Sequence, residues 1–347
     1  MLYPISEVRN FVTGLDHPEG VAVARDGTLY AGGEAGQVYR ISRDGKKTEV
    51  LARTGGFCLG VTVDRQDNIY ICDCSKRALI KVTQKGKVTV IADSAEGRKF
   101  MNPNFSVFDS EGNLYFSDSG EWKQANGVVY RLGVDGCAKL FAAGPFHFAN
   151  GLALDAAERY LYVVESNLDR VVRLEIKPDG AAGAPEVYAE GLARVPDGLA
   201  FDAGGNLYVT TYASNCIYRV STDRSVKLLC QDAENLLLCQ PTNCAFGGRD
   251  FDQLYVGNLG RDHISMLDLK IKGQPLWCHR AKTVILPRNG GGVATSRRAA
   301  RGRNPQRGKQ NGLRRQGSGD NGGRLGHRSS LRPRVRGQTC IRRCRRP

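Results

Sequence analysis

The sequence predicts an all-β fold, a six-bladed β-propeller built from four-stranded antiparallel blades. Three observations support this prediction: short apolar strands alternate with Asp- and Gly-rich turns, the pattern recurs six times, and no stretch keeps a helical period for three turns. A repeat of about 40–50 residues that contains several short strands is typical of a propeller with one blade per repeat.

Residues 195–220 show the repeating unit most completely. They read VPDGLAFDAGGNLYVTTYASNCIYRV, which predicts strands over 198–201, 206–210 and 216–220 and a turn over 202–205. Alternating Leu, Val and Tyr between Asp/Gly clusters indicates antiparallel hairpins. Six copies follow one another, and their first strands begin at positions 20, 60, 105, 151, 198 and 244, spaced by 40, 45, 46, 47 and 46 residues.

Closure of the ring needs a strand from outside the sixth copy. Five copies continue into a fourth strand, whereas the sixth ends after its third strand at 263–269. Residues 7–13 form a predicted strand without a blade, and we expect them to pair as the outer strand of the sixth blade, because an open blade would leave an unpaired edge. In the alternative, residues 273–285 begin the missing strand and a frame-shifted end follows them.

Two segments of different composition divide the chain, a propeller over residues 1–287 and an Arg/Gly-rich tail over 288–347. The tail holds 18 of the 50 Lys and Arg residues and one of the 35 acidic residues, so the net charge of +15 belongs to it. Its low apolar content predicts disorder. It lacks the aromatic residues expected of a nucleic-acid arm, so nucleic acid is not an expected partner. A solvated extension and a frame-shifted end are the other interpretations.

The cysteines and the N-terminus bear on the compartment. The eleven Cys residues include no CxxC pair, and most lie in or beside predicted strands, which favours buried reduced thiols. The N-terminus has no basic-then-apolar signal pattern, and no apolar run reaches membrane-spanning length. We therefore expect a cytoplasmic protein without a membrane partner. The sequence leaves the oligomeric state open.

Candidate functional residues come directly before the six first strands. Since the first strand of each blade lines the central channel, the residues that precede these strands are expected to converge at one end of it. They are Glu19, Leu59, Asn104, Asn150, Asp197 and Asn243. Asn and Asp also serve in ordinary turns, but two carboxylates and three amides in a narrow channel would repel and desolvate one another unless a cation lay between them. Their oxygen atoms suit a hard divalent cation such as Ca²⁺, and the lack of His disfavours a His-rich zinc site.

Five motifs in this order resemble the gluconolactonase, or senescence marker protein (regucalcin)/LRE-like, family. They are HPEGVAV (17–23), PNFSVFDSEGNLYFSD (103–118), ANGLALD (149–155), PDGLAFDAGGNLYV (196–209) and NCAFGG (243–248). The resemblance covers most of residues 15–277. It implies one divalent metal in the channel with Glu19, Asn150 and Asp197 as direct ligands and Asn104 close by, directly or through water.

The resemblance also implies a metal-dependent lactonase acting on sugar-acid lactones. The metal would polarise the lactone carbonyl, and Asp197 would take a proton from the attacking water as general base. Asn102, Glu121, His147 and Asn243 are expected to face the substrate. Asn102 stands where sugar-lactone members often carry an arginine, so the lactone is not identified. Ca²⁺ is the expected ion, with Zn²⁺, Mn²⁺ and Mg²⁺ left open.

Further walls of the pocket are expected from the loops between second and third strands, among them Glu34, Asp73, Asp118 and Glu165. Two other classes of protein stay open, because one fold hosts many functions. One is a non-catalytic calcium-binding propeller that acts as a regulatory platform. The other is a strictosidine-synthase-like propeller without a metal, which would not need Glu19, Asn150 and Asp197 together. The absence of a GxSxG motif gives no support to an acyl-enzyme route.

Overall fold

The computed structural model describes residues 2–279, which form the predicted all-β fold with six four-stranded antiparallel sheets as the blades of a propeller. This part of the chain contains 26 strands, four short 3₁₀ helices and no α-helix. None of its helices is long and apolar enough to cross a membrane. The predicted disordered tail, 288–347, lies outside the described residues.

The strands are β1 (Arg9–Val12), β2 (Val21–Val23), β3 (Leu29–Gly32), β4 (Gln37–Ile41), β5 (Thr48–Arg53), β6 (Cys58–Val63), β7 (Ile69–Asp73), β8 (Ala78–Val82), β9 (Val88–Ala92), β10 (Ser94–Ala95), β11 (Arg98–Lys99), β12 (Pro103–Phe108), β13 (Leu114–Asp118), β14 (Ala125–Leu132), β15 (Ala138–His147), β16 (Ala149–Leu154), β17 (Tyr160–Glu165), β18 (Arg170–Glu175), β19 (Glu186–Ala189), β20 (Pro196–Phe201), β21 (Leu207–Thr211), β22 (Cys216–Val220), β23 (Val226–Gln231), β24 (Pro241–Gly247), β25 (Gln253–Asn258) and β26 (Ile264–Asp268). The 3₁₀ helices are Ile5–Glu7, Ser166–Leu168, Tyr212–Ser214 and Trp277–His279.

The N-terminal strand closes the ring as predicted. Blades one to five each use four strands in chain order, starting from the inner strands β2, β6, β12, β16 and β20. The sixth blade has the order β1-β26-β25-β24, so β1 is its outer strand. Arg9 lies opposite Met266 and Val12 lies opposite Ile264 in this antiparallel pair.

Several acidic residues of the repeat build turns. In blade five, Asp202 Oδ1 accepts the main-chain N–H groups of Gly204 and Asn206, each at 2.9 Å. Asp64 and Asp109 accept equivalent bonds in blades two and three. Because an Asp that bonds the backbone two and four residues ahead fixes a tight turn, these carboxylates explain the recurring Asp/Gly clusters.

The apolar core lies in the seams between neighbouring blades. Tyr162 of blade four packs in one cluster with Leu199 and Phe201 of blade five. In the seam between the last and first blades, Val12 of β1 joins a cluster that contains Val21 and Ile264. The closing strand therefore contributes apolar packing as well as backbone pairing.

Five of the six inner strands begin earlier than the sequence indicated, and β2 begins one residue later. In blade five, Pro196 lies opposite Thr211 but Leu199 lies opposite Val209, so β20 holds one extra residue between these pairs. The same shift occurs in β6, β12, β16 and β24. Asn104, Asn150 and Asp197 thus lie within strands at β-bulges, and the prediction that they lie in the preceding loops is wrong. Bulges bend a strand and re-aim its side chains, and they are frequent beside functional sites.

The strand register corrects the sequence alignment of blade six by one residue. Pro241 lies opposite Asn258 and Cys244 lies opposite Val256, which places Thr242, and not Asn243, at the position that Asp197 holds in blade five. A Cβ on Gly198 would lie 2.7 Å from Thr242 O and 2.6 Å from Asn243 Cα. In blades one, two, four and five, a glycine occupies the position that Asn243 holds in blade six. The bulge hid this one-residue shift from a comparison of sequences.

A segment that we call the strap, residues 272–279, crosses the channel at the opposite end from these bulges. It begins at blade five, where Gly273 bridges to Asp202, and it ends at blade one, where His279 bonds Val23 O. The alternative in which residues 273–285 begin a strand of blade six is wrong for 273–279, and 280–285 lie outside the described residues. Only glycine fits at 273, because a Cβ there would lie 2.2 Å from Phe246 Cβ.

Candidate metal centre

Five residues at the bulged starts of inner strands, together with Glu19 just before β2, form a ring of six residues, which we call the ring positions. They are Glu19, Leu59, Asn104, Asn150, Asp197 and Thr242. Neighbouring blades approach closely here: a Cβ on Gly20 would lie 2.2 Å from Leu59 O, and one on Gly151 would lie 2.3 Å from Asp197 O. The predicted convergence at one end of the channel is therefore present in the structure.

Two buried carboxylates belong to the ring. Glu19 and Asp197 are 5% and 6% exposed. Burial raises the pKa of Glu19 well above its usual range, and the charges of Asp197 and Glu34 add to the effect. Burial also raises the pKa of Asp197, from 3.8 to about 7, while the Asn150 amide acts in the opposite direction. Two neighbouring desolvated carboxylates, both with raised pKa values, are stabilised by a positive charge placed between them.

Two buried serines fix the orientation of the ring amides. Ser119 Oγ donates to Ala149 O at 2.6 Å and accepts the Asn104 Nδ2–H at 3.0 Å. Ser166 Oγ donates to Pro196 O at 2.7 Å and accepts the Asn150 Nδ2–H at 3.2 Å. Since each serine proton is already used on a carbonyl, the amide must present its NH₂ group to the serine. Its oxygen is therefore left for the site.

Three side-chain oxygens of the ring are buried without a hydrogen-bond partner. They are Asn104 Oδ1, Asn150 Oδ1 and Asp197 Oδ1. Buried polar atoms normally have partners, so several orphaned oxygens in one place need an explanation. With Glu19 beside them they form an all-oxygen donor set, the chemistry that Ca²⁺ and similar hard cations require. The residues present fit a divalent cation.

Hydroxyl groups hold the ring backbone from the neighbouring blade, and sequence reasoning missed them. Ser117 Oγ donates to Asn150 O at 2.7 Å, and Thr242 Oγ1 donates to Glu19 O at 2.8 Å. Thr210 Oγ1 donates to Thr242 O. The available signal was a polar residue inside a second strand where the repeat is otherwise apolar, as in YFSDS and YVTTY.

The proposed substrate-facing residues lie near the ring but are held through main-chain groups. Asn102 N–H donates to Asp118 Oδ1 at 2.7 Å, and His147 N–H donates to Glu165 Oε1 at 2.9 Å. Glu121 is exposed, and its N–H donates to Asn126 Oδ1 at 2.9 Å. Their contact with substrate stays a prediction.

Asn243 differs from these residues in being fully buried. Its exposure is 0%, and both its Oδ1 and its Nδ2 lack hydrogen-bond partners. Its N–H lies 3.4 Å from Glu19 O, so the residue lies next to the ring between blades six and one. Contact between Asn243 and the substrate likewise stays a prediction.

The carboxylates expected to form pocket walls divide into two groups. Asp73, Asp118 and Glu165 are buried and accept main-chain N–H groups from the strand-entry segments of their own blades or the one before. Glu34 instead lies in a half-buried cluster with Asp16 and His17, whose ligand atoms fall within 4.8 Å of one another. The charge of Glu34 reaches the ring, since it contributes to the raised pKa of Glu19.

The raised pKa values predict how metal-free protein responds to pH. The pKa of Asp197 rises from 3.8 to about 7 on folding, so the stability it contributes is complete below about pH 4 and is lost as the pH rises through 7. Buried His279 acts oppositely, because its pKa lies below 6.5. In chelator, Asp197→Asn should become more stable relative to the wild type as the pH rises from 5 to 8. Calorimetry measures this as an increasing difference between the melting temperature of the variant and that of the wild type. A constant difference would contradict the buried, uncompensated carboxylate.

A β-propeller with a ring of buried side-chain oxygens at one end of its channel is the class of protein that the fold and site define. The chain belongs to the family described as SMP-30/Gluconolactonase/LRE-like region, which it matches over residues 18–259. The resemblance stated from the motifs is thereby confirmed.

Three individual proteins show how far the similarity extends. The chain is 31% identical to a gluconolactonase of Zymomonas mobilis subsp. mobilis, over 54% of this chain and 57% of that protein. It is 25% identical to Protein STRICTOSIDINE SYNTHASE-LIKE 6 of Arabidopsis thaliana, over 56% of each. The chain thus spans little more than half the length of these curated relatives. The crystal structure of a calcium-binding protein, regucalcin, from Agrobacterium tumefaciens superposes with a TM-score of 0.66 at 18% identity, over 80% of this chain and 99% of that one.

Proposed function

We propose that this protein is a metal-dependent lactone hydrolase whose centre is a divalent cation, Ca²⁺, held by Glu19, Asn104, Asn150 and Asp197. The observation that carries the proposal is the set of buried oxygens without hydrogen-bond partners beside two desolvated carboxylates whose pKa values are raised. Family membership and the gluconolactonase relative support lactones as the substrate class. The regucalcin fold neighbour is described as calcium-binding, which agrees with the donor set.

The choice of Ca²⁺ follows from ligand type. The four side chains offer carboxylate and amide oxygens, and the ring contains neither His nor Cys. Hard cations prefer such oxygens, whereas zinc sites are dominated by nitrogen and sulfur. Two carboxylates would balance the charge of one divalent ion. Zn²⁺, Mn²⁺ and Mg²⁺ are the competing ions that the experiment below separates.

The reaction is the addition of water to the lactone carbonyl, followed by cleavage of the ring C–O bond to give a hydroxy acid. When bound, the cation supplies Lewis-acid polarisation of the carbonyl oxygen. Asp197, as carboxylate, accepts a proton from the attacking water and returns it to the leaving ring oxygen. With the cation bound, Glu19 would be ionised and would balance its charge, while Asn104 and Asn150 would direct their amide oxygens toward it.

The experiment is an assay of chelator-treated protein on a panel of sugar and aliphatic lactones, with Ca²⁺, Zn²⁺, Mn²⁺ or Mg²⁺ returned separately. We expect hydrolysis to be absent in chelator and restored best by Ca²⁺. Restoration by a different ion would correct the metal assignment. Metal binding without turnover on any lactone would assign the protein to the class of non-catalytic calcium-binding platforms instead.

The serine that orients Asn150 gives a prediction about metal affinity. In Ser166→Ala the Asn150 amide loses the acceptor that fixes its orientation, so its oxygen is no longer held toward the ion. We expect Ca²⁺ affinity to fall by about 10-fold, the low end of the cost of removing an outer-shell partner. Calorimetric titration measures the change, and Ser221→Ala, at a partly exposed turn serine of blade five, is the control. Equal affinities of the two variants would show that Ser166 does not orient a ligand.

A further inference from the structure

We infer that the strap, residues 272–279, positions the metal ligands from the opposite end of the channel, and that Gln274 and His279 are its positioning residues. This inference deepens the proposed function and rests on it, because it assigns a role toward the same cation. It concerns residues that lie at the far end of the inner strands from the ring and that do not touch the site.

Gln274 ties together the inner strands of blades four and five. Its main-chain N–H donates to Phe201 O at 2.9 Å, and its Nε2 donates to Leu154 O at 2.9 Å. The side chain is 7% exposed, so both bonds are shielded from water. Leu154 is the last residue of β16 and Phe201 is the last residue of β20.

His279 makes the corresponding bond to blade one. Its Nδ1 accepts the Leu276 N–H at 3.1 Å, which places the proton of the neutral ring on Nε2. Nε2 then donates to Val23 O at 2.8 Å. Val23 is the last residue of β2, so this bond also holds the far end of an inner strand.

The three residues bonded by the strap share one repeat position. Val23, Leu154 and Phe201 each come four residues after a proposed direct ligand, namely Glu19, Asn150 and Asp197. The strap contacts the strand of Asn104 through an aromatic pair instead of a hydrogen bond. The ring centroids of Trp277 and Phe108 lie 4.8 Å apart, and Phe108 comes four residues after Asn104.

The contact with blade two is of another kind. The ring position of blade two is the apolar Leu59, and there the strap bonds a turn residue, with Arg65 Nε donating to Trp277 O at 3.2 Å. Hydrogen bonds from the strap to inner-strand ends are thus made to the strands of Glu19, Asn150 and Asp197.

The geometry of an inner strand explains why this matters. Each inner strand is an edge strand of its sheet and pairs with one neighbouring strand only. Four residues of extended chain span about 13 Å. Hydroxyl groups of neighbouring blades hold the ring end, and the strap holds the other end. A strand that is fixed at both ends keeps its ligand oxygen at a set distance from the others, which a metal site requires.

The test compares strap variants that release different strands. Gln274→Met keeps the side-chain volume and removes the Nε2 bond to β16, and His279→Phe removes the bond to β2. Arg65→Met is the matched control, because it removes a strap contact, including a cation–π contact at 5.0 Å, on the blade without a ligand. Ca²⁺ titration of chelator-treated protein gives the Kd, and thermal unfolding with and without Ca²⁺ gives the metal-induced rise in Tm.

The strap positions the ligands if Gln274→Met and His279→Phe each weaken Ca²⁺ binding by about 10-fold, as removal of outer-shell partners does, and reduce the metal-induced rise in Tm. Arg65→Met should lower the Tm of metal-free protein and leave the Kd unchanged. The inference is overturned if all three variants lower the metal-free Tm and none changes the Kd, since the strap would then be a purely structural closure. Wild-type protein that binds no Ca²⁺ would overturn the proposed function itself.

Discussion

Replacing Asp197 by Asn should reduce lactone turnover by about 10²–10⁴-fold, the usual contribution of a general base. The amide keeps the shape of the side chain but cannot accept a proton from the attacking water. Its metal-free melting temperature at pH 8 should not fall, because the substitution removes a desolvated negative charge whose pKa burial has raised to about 7. Rates under saturating Ca²⁺ and calorimetry measure the two effects.

Asp73→Asn is the matched control for this substitution. Asp73 is a fully buried carboxylate of blade two, but it accepts main-chain N–H groups of Phe57 and Lys76 and lies in a blade with no ligand at its ring position. This variant should lose stability and keep turnover. If Asp197→Asn keeps its lactone turnover and Asp73→Asn loses it, Asp197 is not the general base.

Deleting residues 1–13 should abolish cooperative folding. The deletion removes β1 from blade six, exposes the edge of β26, and takes Val8 and Val12 out of two apolar clusters. Burial of one such side chain contributes about 1.5–3 kcal/mol, and the seam between the last and first blades would open as well. Against a typical net stability of about 5–15 kcal/mol, the loss is decisive. Circular dichroism during thermal unfolding is the measurement.

The control for this deletion removes residues 288–347 instead. That variant should keep a sharp unfolding transition, because all six four-stranded blades and the closing strand β1 lie within residues 2–279. The closure argument fails if the N-terminal deletion unfolds cooperatively near the wild-type temperature.

The repeat made the fold predictable from the sequence. The second, third and fifth copies carry an Asp that builds the turn between two period-2 strands, so local chemistry and blade geometry agree in these copies. The unpaired segment before the first copy and the missing strand of the last copy together predicted the closure by β1. Glu19, Asn104, Asn150 and Asp197 were predicted in the same way, as residues at one position of the repeat.

Two features were beyond a comparison of copies. The bulge adds a residue whose presence shows only in the pairing register, so blade six was aligned on Asn243 although Thr242 holds the ring position. The strap belongs to no repeat, and its bonds to Val23, Leu154 and Phe201 depend on where three separate strands end in space. Ser119 and Ser166 show the same limit, since their role depends on contacts with the next blade.

The central claim, a single cation held by the ring oxygens, is tested most directly by calorimetric titration of chelator-treated protein with Ca²⁺, in parallel with Glu19→Gln and Asp197→Asn. The account predicts one ion per chain for the wild type, proton release on binding near pH 7 because Asp197 must ionise, and severe loss of affinity in both variants. Absence of binding by folded wild-type protein, or equal binding by all three proteins, would contradict it.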